Sequence, residues 1–408
     1  MRDRALRAIA ECRHLATMTE EPGRTTRLFL TPPVRDVHEH LRRRMLSLGM
    51  DVRLDAVGNL RGLWNPPNAA PRRMILGSHI DTVPDAGAYD GVLGVMLAIE
   101  CVEIAREIAF PAPIEVIAFS EEEGVRFGIP VIGSRAVVGR FTPALLDLKD
   151  AEGITLDQAI RTFGLDPALM DEARISEDAA AYVEFHIEQG PVLEAEGLSV
   201  AVVSSIVGQT RLTLEFAGQA NHAGTTPMRL RRDALAAAAE WISAVEALAT
   251  RSDGLVATVG KIGLEPNATN VIPGRARVSL DVRHAVNHER EVAVEELVAC
   301  AQEIAARRGL TVECTRQVNG AAVPMDERIT ACLAAAVEAA GFPARTMPSG
   351  AGHDAMVMAT RLPAGMLFLR SPGGISHHPS ETVLEQDVEA ALHVARQFLM
   401  RLASEFRA

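Results

Sequence analysis

Two short apolar runs, residues 74–76 and Ile114–Phe119, each lead into residues able to bind a cation, and a long apolar helical pattern over residues 92–108 lies between them. Strand, crossover helix and strand in that order build a parallel sheet, which makes the chain an α/β protein. An open parallel sheet gathers its functional side chains at the carboxyl ends of its strands. The first run leads into Gly77-Ser78-His79-Ile80-Asp81, and the second into Glu121-Glu122-Glu123. Three adjacent carboxylates repel one another and are costly to desolvate, so the pattern calls for a cation to neutralise them.

A further strand over residues 182–187 carries His186 near its end. The pattern changes at Gln209. Strand 210–216, an alanine-rich helix over 232–249, strands 255–262 and 276–282 and a helix over 289–308 form a compact unit of the split βαβ, ferredoxin-like kind. The α/β style resumes with helix 329–340, strand Ala364–Leu369 and helix 385–403. The reading is therefore of two domains. A discontinuous catalytic domain with a mostly parallel sheet takes residues 1–208 and 323–408, and an inserted α+β domain takes 209–322.

A chain of 408 residues with 48% hydrophobic content can fill two cores. Its net charge of −12 makes nucleic acid and anionic membrane poor partners. Five cysteines without a CxxC pair argue against both a disulfide framework and a thiolate zinc site, and so for a reducing compartment. Residues 1–17 alternate charged and apolar side chains and lack the apolar core of a secretory signal. A cytoplasmic enzyme is the expectation.

The candidate ligands are spread along the chain. His79 suits a divalent ion, and Asp81, two residues on, is placed to orient its ring; a strand-end histidine with a satisfied hydrogen bond would look the same. Asp90-Gly91 opens the helical pattern at Val92, so Asp90 either caps that helix or bridges two ions. Glycine at the next position permits an unusual backbone. Of Glu122 and Glu123, one can bind metal while its neighbour stays free to move a proton, which as general-base catalysis contributes about 10²–10⁴-fold. Of the tandem His377-His378, the first is taken as ligand and the second as bystander. These residues together describe a metal-dependent hydrolase.

The motifs Gly77-Ser78-His79-Ile80-Asp81-Thr82, Asp90-Gly91, Glu121-Glu122-Glu123-Gly124-Val125-Arg126-Phe127 and His186-Ile187-Glu188-Gln189-Gly190 resemble those of the ureido-group amidohydrolases. So do Asn221-His222-Ala223-Gly224-Thr225-Thr226-Pro227-Met228, Asn270-Val271-Ile272-Pro273-Gly274, Gly350-Ala351-Gly352-His353-Asp354 and Gly374-Ile375-Ser376-His377. That family comprises allantoate amidohydrolases, N-carbamoyl-L-amino-acid hydrolases and β-ureidopropionases, within a clan of dinuclear metallopeptidases that includes aminoacylases. The resemblance spans nearly the whole chain, in order.

It implies two divalent ions per subunit, zinc or manganese, with cobalt and nickel as further options. His79, Asp90 and His186 would hold one, and Asp90, Glu123 and His377 the other. Glu122 would be the general base. Gln189, His222, Asn270 and Arg283 would contact substrate, with His222 also polarising the scissile carbonyl. The inserted domain would act as a lid and join two copies into a homodimer. Arg283 offers a planar fork for a substrate carboxylate, although Asp281 on the same strand face competes for it. Two divalent ions outweigh the charge of Asp90, Glu123 and Glu122, so a small anionic ureido acid fits the site despite the acidic surface. Segments 207–212 and 365–377 resemble allantoate amidohydrolases, whereas 127–136 looks more like a carbamoylase, and allantoate is the preferred substrate. A dinuclear aminopeptidase or aminoacylase would differ by cleaving dipeptides or N-acetyl amino acids. A silent binding protein would lack a ligand or the base, and this chain has all of them.

Overall fold

The structure, a computed structural model, describes residues 1–407. The chain divides into two compact units: Met1–Ser204 together with the chain from Met325 onward, and Ser205–Pro324.

In the first unit the sheet runs Asp51–Leu54, Leu60–Trp64, Ile114–Phe119, Arg73–His79, Ala179–Ile187, Ala364–Leu369, Val200–Ile206. The four strands Ile114–Phe119, Arg73–His79, Ala179–Ile187 and Ala364–Leu369 are mutually parallel, and antiparallel strands flank them on both sides. Every residue of these four is buried, the burial that continuous apolar runs predict for strands covered on both faces. Helix Val92–Glu107 is buried nearly all round, because the sheet lies on one side of it and helices Arg2–Ala16 and Glu385–Arg407 on another. A helix so placed needs apolar residues on every side. Its one fully buried carboxylate, Glu100, is held by Arg7 at 2.8 Å and Arg44 at 3.2 Å. Among the described residues no helix is long and apolar enough to cross a membrane.

The second unit is a β-α-β-β-α-β fold. Strand Ile262–Glu265 pairs with Arg275–His284, which pairs with Gly208–Ala217, which pairs with Thr311–Gly320, all antiparallel. Helices Ala234–Arg251 and Asn287–Arg308 pack on one face, where Trp241, Leu248 and Leu297 join Leu214, Phe216 and Val278 in one core. Alternate residues point the other way, so Arg211, Arg277, Asp281 and Arg283 share the polar face.

Helix Pro32–Ser47 opens on Pro32, because Pro fits the first helical turn, where its missing N–H costs nothing. Several boundaries differ from the sequence reading. The single strand expected over 255–262 is two, Val256–Thr258 and Ile262–Glu265, parted by Val259, Gly260 and Lys261. Strand Thr311–Gly320 escaped the sequence reading because it is an exposed edge with little apolar alternation. The units meet at 204/205 and 324/325, where the pattern had suggested 208/209 and 322/323.

Candidate metal centre

His79 is the last residue of its strand, Glu121–Glu122–Glu123 follows the neighbouring parallel strand, and His186 is next to last in the third. Parallel strands end at one edge, so residues scattered along the sequence meet there. Asp90 enters from the turn before helix Val92–Glu107. The helix is capped by Gly91 without a side-chain hydrogen bond, so the capping role open to Asp90 from sequence is not the one it takes. Gly91 has φ +66°, and a Cβ there would stand 2.5 Å from the His79 ring. Any other side chain would displace the imidazole.

Two sets of donor atoms share Asp90. His79, Asp90 and His186 form one set, and Asp90, Glu123 and His377 the other, each with all its atoms within 4.8 Å of one another. Asp90 Oδ1 lies 3.3 Å from His186 Nε2 and 3.8 Å from His79 Nε2, and the two Nε2 atoms are 3.5 Å apart. His79 Nδ1 faces the Asp81 carbonyl at 3.1 Å and His186 Nδ1 the Ile187 carbonyl at 2.9 Å. A carbonyl only accepts, so each Nδ1 carries a proton, and in the neutral ring each Nε2 turns its lone pair to the carboxylate. Asp90 Oδ1 is buried and accepts no hydrogen bond. Three acceptors converging on one buried point with no donor between them fit a cation. Imidazole and carboxylate donors suit a divalent transition ion.

On the other side, Asp90 Oδ2 is 3.2 Å from His377 Nε2, which is 3.4 Å from Glu123 Oε1. Gln189 Nε2 donates to the same Oδ2 at 2.9 Å. Gln189 and His377 both sit in the left-handed region, at φ 58° and 55°. Non-glycine residues hold that conformation only where the surroundings enforce it. The neighbouring His378 is exposed and its Nδ1 accepts the Ser380 N–H.

Charge at the centre follows from burial and crowding. Burial would raise Asp90, but the hydrogen bond from His377 and the charges of His186, His79 and His377 hold it below the usual carboxylate range. Burial pushes Glu122 well up, and it pushes Glu123 to about 7. Burial pulls His79 down, yet the hydrogen bond and charge of Asp81, with Glu122 and Asp90, carry it well above its ordinary value. Burial takes His186 down to about 4. Acids pushed up and a neighbouring imidazole pushed up describe excess negative charge that a cation would relieve.

Asp81 takes a wider part than ring orientation alone. Its Oδ1 is 3.4 Å from His79 Nδ1, and its carboxylate accepts the backbone N–H of both Glu122 and Glu123. Two buried residues, His353 and Glu184, and the half-buried Ser376 were outside the site drawn from sequence. The His353 ring packs edge-on against His186, with centroids 4.4 Å apart, and its Nε2 is 2.8 Å from Ser349 Oγ. Glu184 accepts from Ser78 Oγ and Tyr182 Oη, each at 3.0 Å. Ser376 Oγ stands 3.2 Å from Asp90 Oδ2. The Gly350–Asp354 motif pointed to His353, but nothing in strand 179–187 marks Glu184 as polar and buried.

His222, Asn270 and Arg283 belong to the second unit. His222 lies in the two-residue strand Asn221–His222, paired with Val271–Ile272, and the Asn270 carbonyl accepts the Ala223 N–H at 3.0 Å. Gly224 and Thr225 N–H both donate to His222 Nδ1, at 3.0 and 3.2 Å, so the ring carries its proton on Nε2. Arg283 Nε is 2.8 Å from Asp281 Oδ1, the ion pair that competes for its fork. Asp281 also accepts from Arg211 Nε at 2.9 Å.

The description of peptidase family M20/M25/M40 matches residues 75–401. An N-carbamoyl-L-amino acid amidohydrolase of Geobacillus stearothermophilus is 39% identical over 384 residues, 93% of this chain and 94% of that one. An allantoate amidohydrolase of Bacillus subtilis is 37% identical over 389 residues, 93% of each chain. The crystal structure of a hydantoinase/carbamoylase family amidase from Burkholderia multivorans superposes with a TM-score of 0.91 at 31% identity, covering 98% of both chains. The chain belongs to peptidase family M20/M25/M40.

Proposed function

We propose that this chain is an amidohydrolase that cleaves the carbamoyl C–N bond of a small ureido acid, allantoate foremost, releasing ammonia and carbon dioxide. One observation carries the reading: the Asp90 carboxylate is shared between two sets of ligand atoms, with its buried Oδ1 facing two imidazole lone pairs. His79, Asp90 and His186 hold one divalent ion, and Asp90, Glu123 and His377 the other. Such a pair supplies Lewis acidity toward the carbamoyl oxygen and lowers the pKa of a water. Glu122, raised by burial, takes the proton of the attacking water and passes it to the leaving nitrogen. His222 donates from Nε2 toward the carbamoyl oxygen, and Arg283 meets the substrate carboxylate. Gln189 and Asn270 complete the substrate contacts. The inserted unit joins two copies of the chain, which sedimentation equilibrium would test.

Names among the relatives support allantoate, including the Bacillus subtilis amidohydrolase and plant allantoate deiminases. A second reading, N-carbamoyl-L-amino acid hydrolysis, is favoured by the 39% identity to the Geobacillus stearothermophilus enzyme. Ammonia release by Mn²⁺- or Zn²⁺-loaded protein across allantoate, N-carbamoyl-L-amino acids and 3-ureidopropionate separates them. The highest kcat/KM on allantoate is the expected result. Cleavage of N-acetyl amino acids or dipeptides, with no ammonia from any ureido acid, would replace the proposal with an aminoacylase or aminopeptidase.

A further inference from the structure

We infer that Glu381 is a positioning residue of this centre, fixing Asp90 and the His377 segment relative to each other. The inference rests on the reading of Asp90, Glu123 and His377 as holders of a divalent ion.

Glu381 is 5% exposed. Its Oε1 accepts the backbone N–H of Tyr89 at 2.9 Å and of Asp90 at 3.0 Å, and its Oε2 accepts the Ser376 hydroxyl at 3.0 Å. Ser376 Oγ is also 3.2 Å from Asp90 Oδ2. The contacts close a ring: Glu381 grips the Asp90 backbone, Ser376 reaches the Asp90 side chain, and Ser376 hangs from Glu381. A hydroxyl has one proton to give, so Ser376 serves one of the two carboxylates at a time and is shared between them. The carboxylate fits because residue 87 is glycine: a Cβ there would lie 2.3 Å from Glu381 Cβ and 2.4 Å from Oε1.

The ring matters because His377 lies outside any helix or strand, with 48% of its side chain exposed and its backbone left-handed. Strand ends hold His79 and His186 in place, and Asp81 fixes the turn of Glu123 by accepting its N–H. His377 has no such scaffold, and the Glu381 contacts link its segment to a turn 292 residues away in sequence. A residue that only satisfied two buried N–H groups would matter to folding alone. A positioning residue must also change how tightly the ion is held.

Calorimetric titration of metal-free protein with Mn²⁺ alone tests this, read beside thermal midpoints. Glu381→Gln keeps the reach and an acceptor oxygen for both N–H groups, and its amide can donate to Ser376 Oγ; it should bind close to wild type. Glu381→Asp withdraws the carboxylate by one methylene and should weaken the more weakly held ion by about 10–100-fold. Wild-type affinity in Glu381→Asp, or equal loss in both variants, overturns the inference. Should Glu381→Asp fail to fold, Ser376→Ala decides. It should weaken the same ion about tenfold with little change in midpoint, and unchanged affinity there overturns the inference instead. A wild-type protein that takes up no divalent ion removes the metal-centre reading itself, an outcome distinct from a wild type that binds and variants that match it.

Discussion

Asp81 accepts the backbone N–H of Glu122 with both carboxylate oxygens, at 2.9 and 3.0 Å. The same side chain approaches His79 Nδ1 at 3.4 Å, so one acid contacts both the His79 ring and the turn that presents Glu122 and Glu123. Asp81→Asn keeps the shape but turns an N–H₂ toward backbone N–H donors. Metal affinity should fall by about 10–100-fold, with turnover falling alongside. Titration of the metal-free variant checks it, and wild-type affinity would mean that the turn needs no anionic partner.

Of the acidic triplet only Glu123 belongs to the sets of atoms around Asp90; Glu122 lies outside both and groups with His79 and Glu123 instead. Glu122→Gln removes its basicity and little else. Turnover should drop by about 10²–10⁴-fold while metal content stays at the wild-type level. Full activity in that variant would take the proton-transfer role from Glu122, and loss of metal would make it a ligand instead.

His38 provides a pH test away from the centre. It is buried in helix Pro32–Ser47 with its ring edge-on to Phe163, and burial lowers it to about 3. In the unfolded chain a histidine titrates near 6.5. The folded state therefore holds the neutral ring, and its contribution is complete above about pH 6.5 and is lost as pH falls from there toward 3. The loss amounts to about 1.4 kcal/mol per pH unit. In urea unfolding, the stability of wild type relative to His38→Gln should shrink from pH 7.5 to pH 5. A constant difference would show that His38 is not held neutral.

The sheet was legible in the sequence because its central strands are buried on both faces and must be continuously apolar; Ile114–Phe119 and Ala364–Leu369 run between the residues expected. The clustering at the sheet edge was legible for a related reason: His79 and the glutamate triplet stand where apolar runs stop. Edge strand Thr311–Gly320 was not, since exposure removes the alternation that marks a strand. Glu184 and Glu381 were not either. A buried carboxylate is defined by donors from distant segments, here Ser78, Tyr182 and Ala355 for Glu184, and Tyr89, Asp90 and Ser376 for Glu381. No local pattern encodes such donors. The competing roles of Asp90 were separated only by geometry, which gives the helix cap to Gly91 and leaves the carboxylate facing imidazoles.

The metal stoichiometry of Asp90→Ala, measured by elemental analysis beside wild type, bears most directly on the centre. Wild type should hold two divalent ions per chain, and the variant, stripped of the one side chain common to both ligand sets, should hold neither. A folded Asp90→Ala protein that keeps the full wild-type complement would contradict the account.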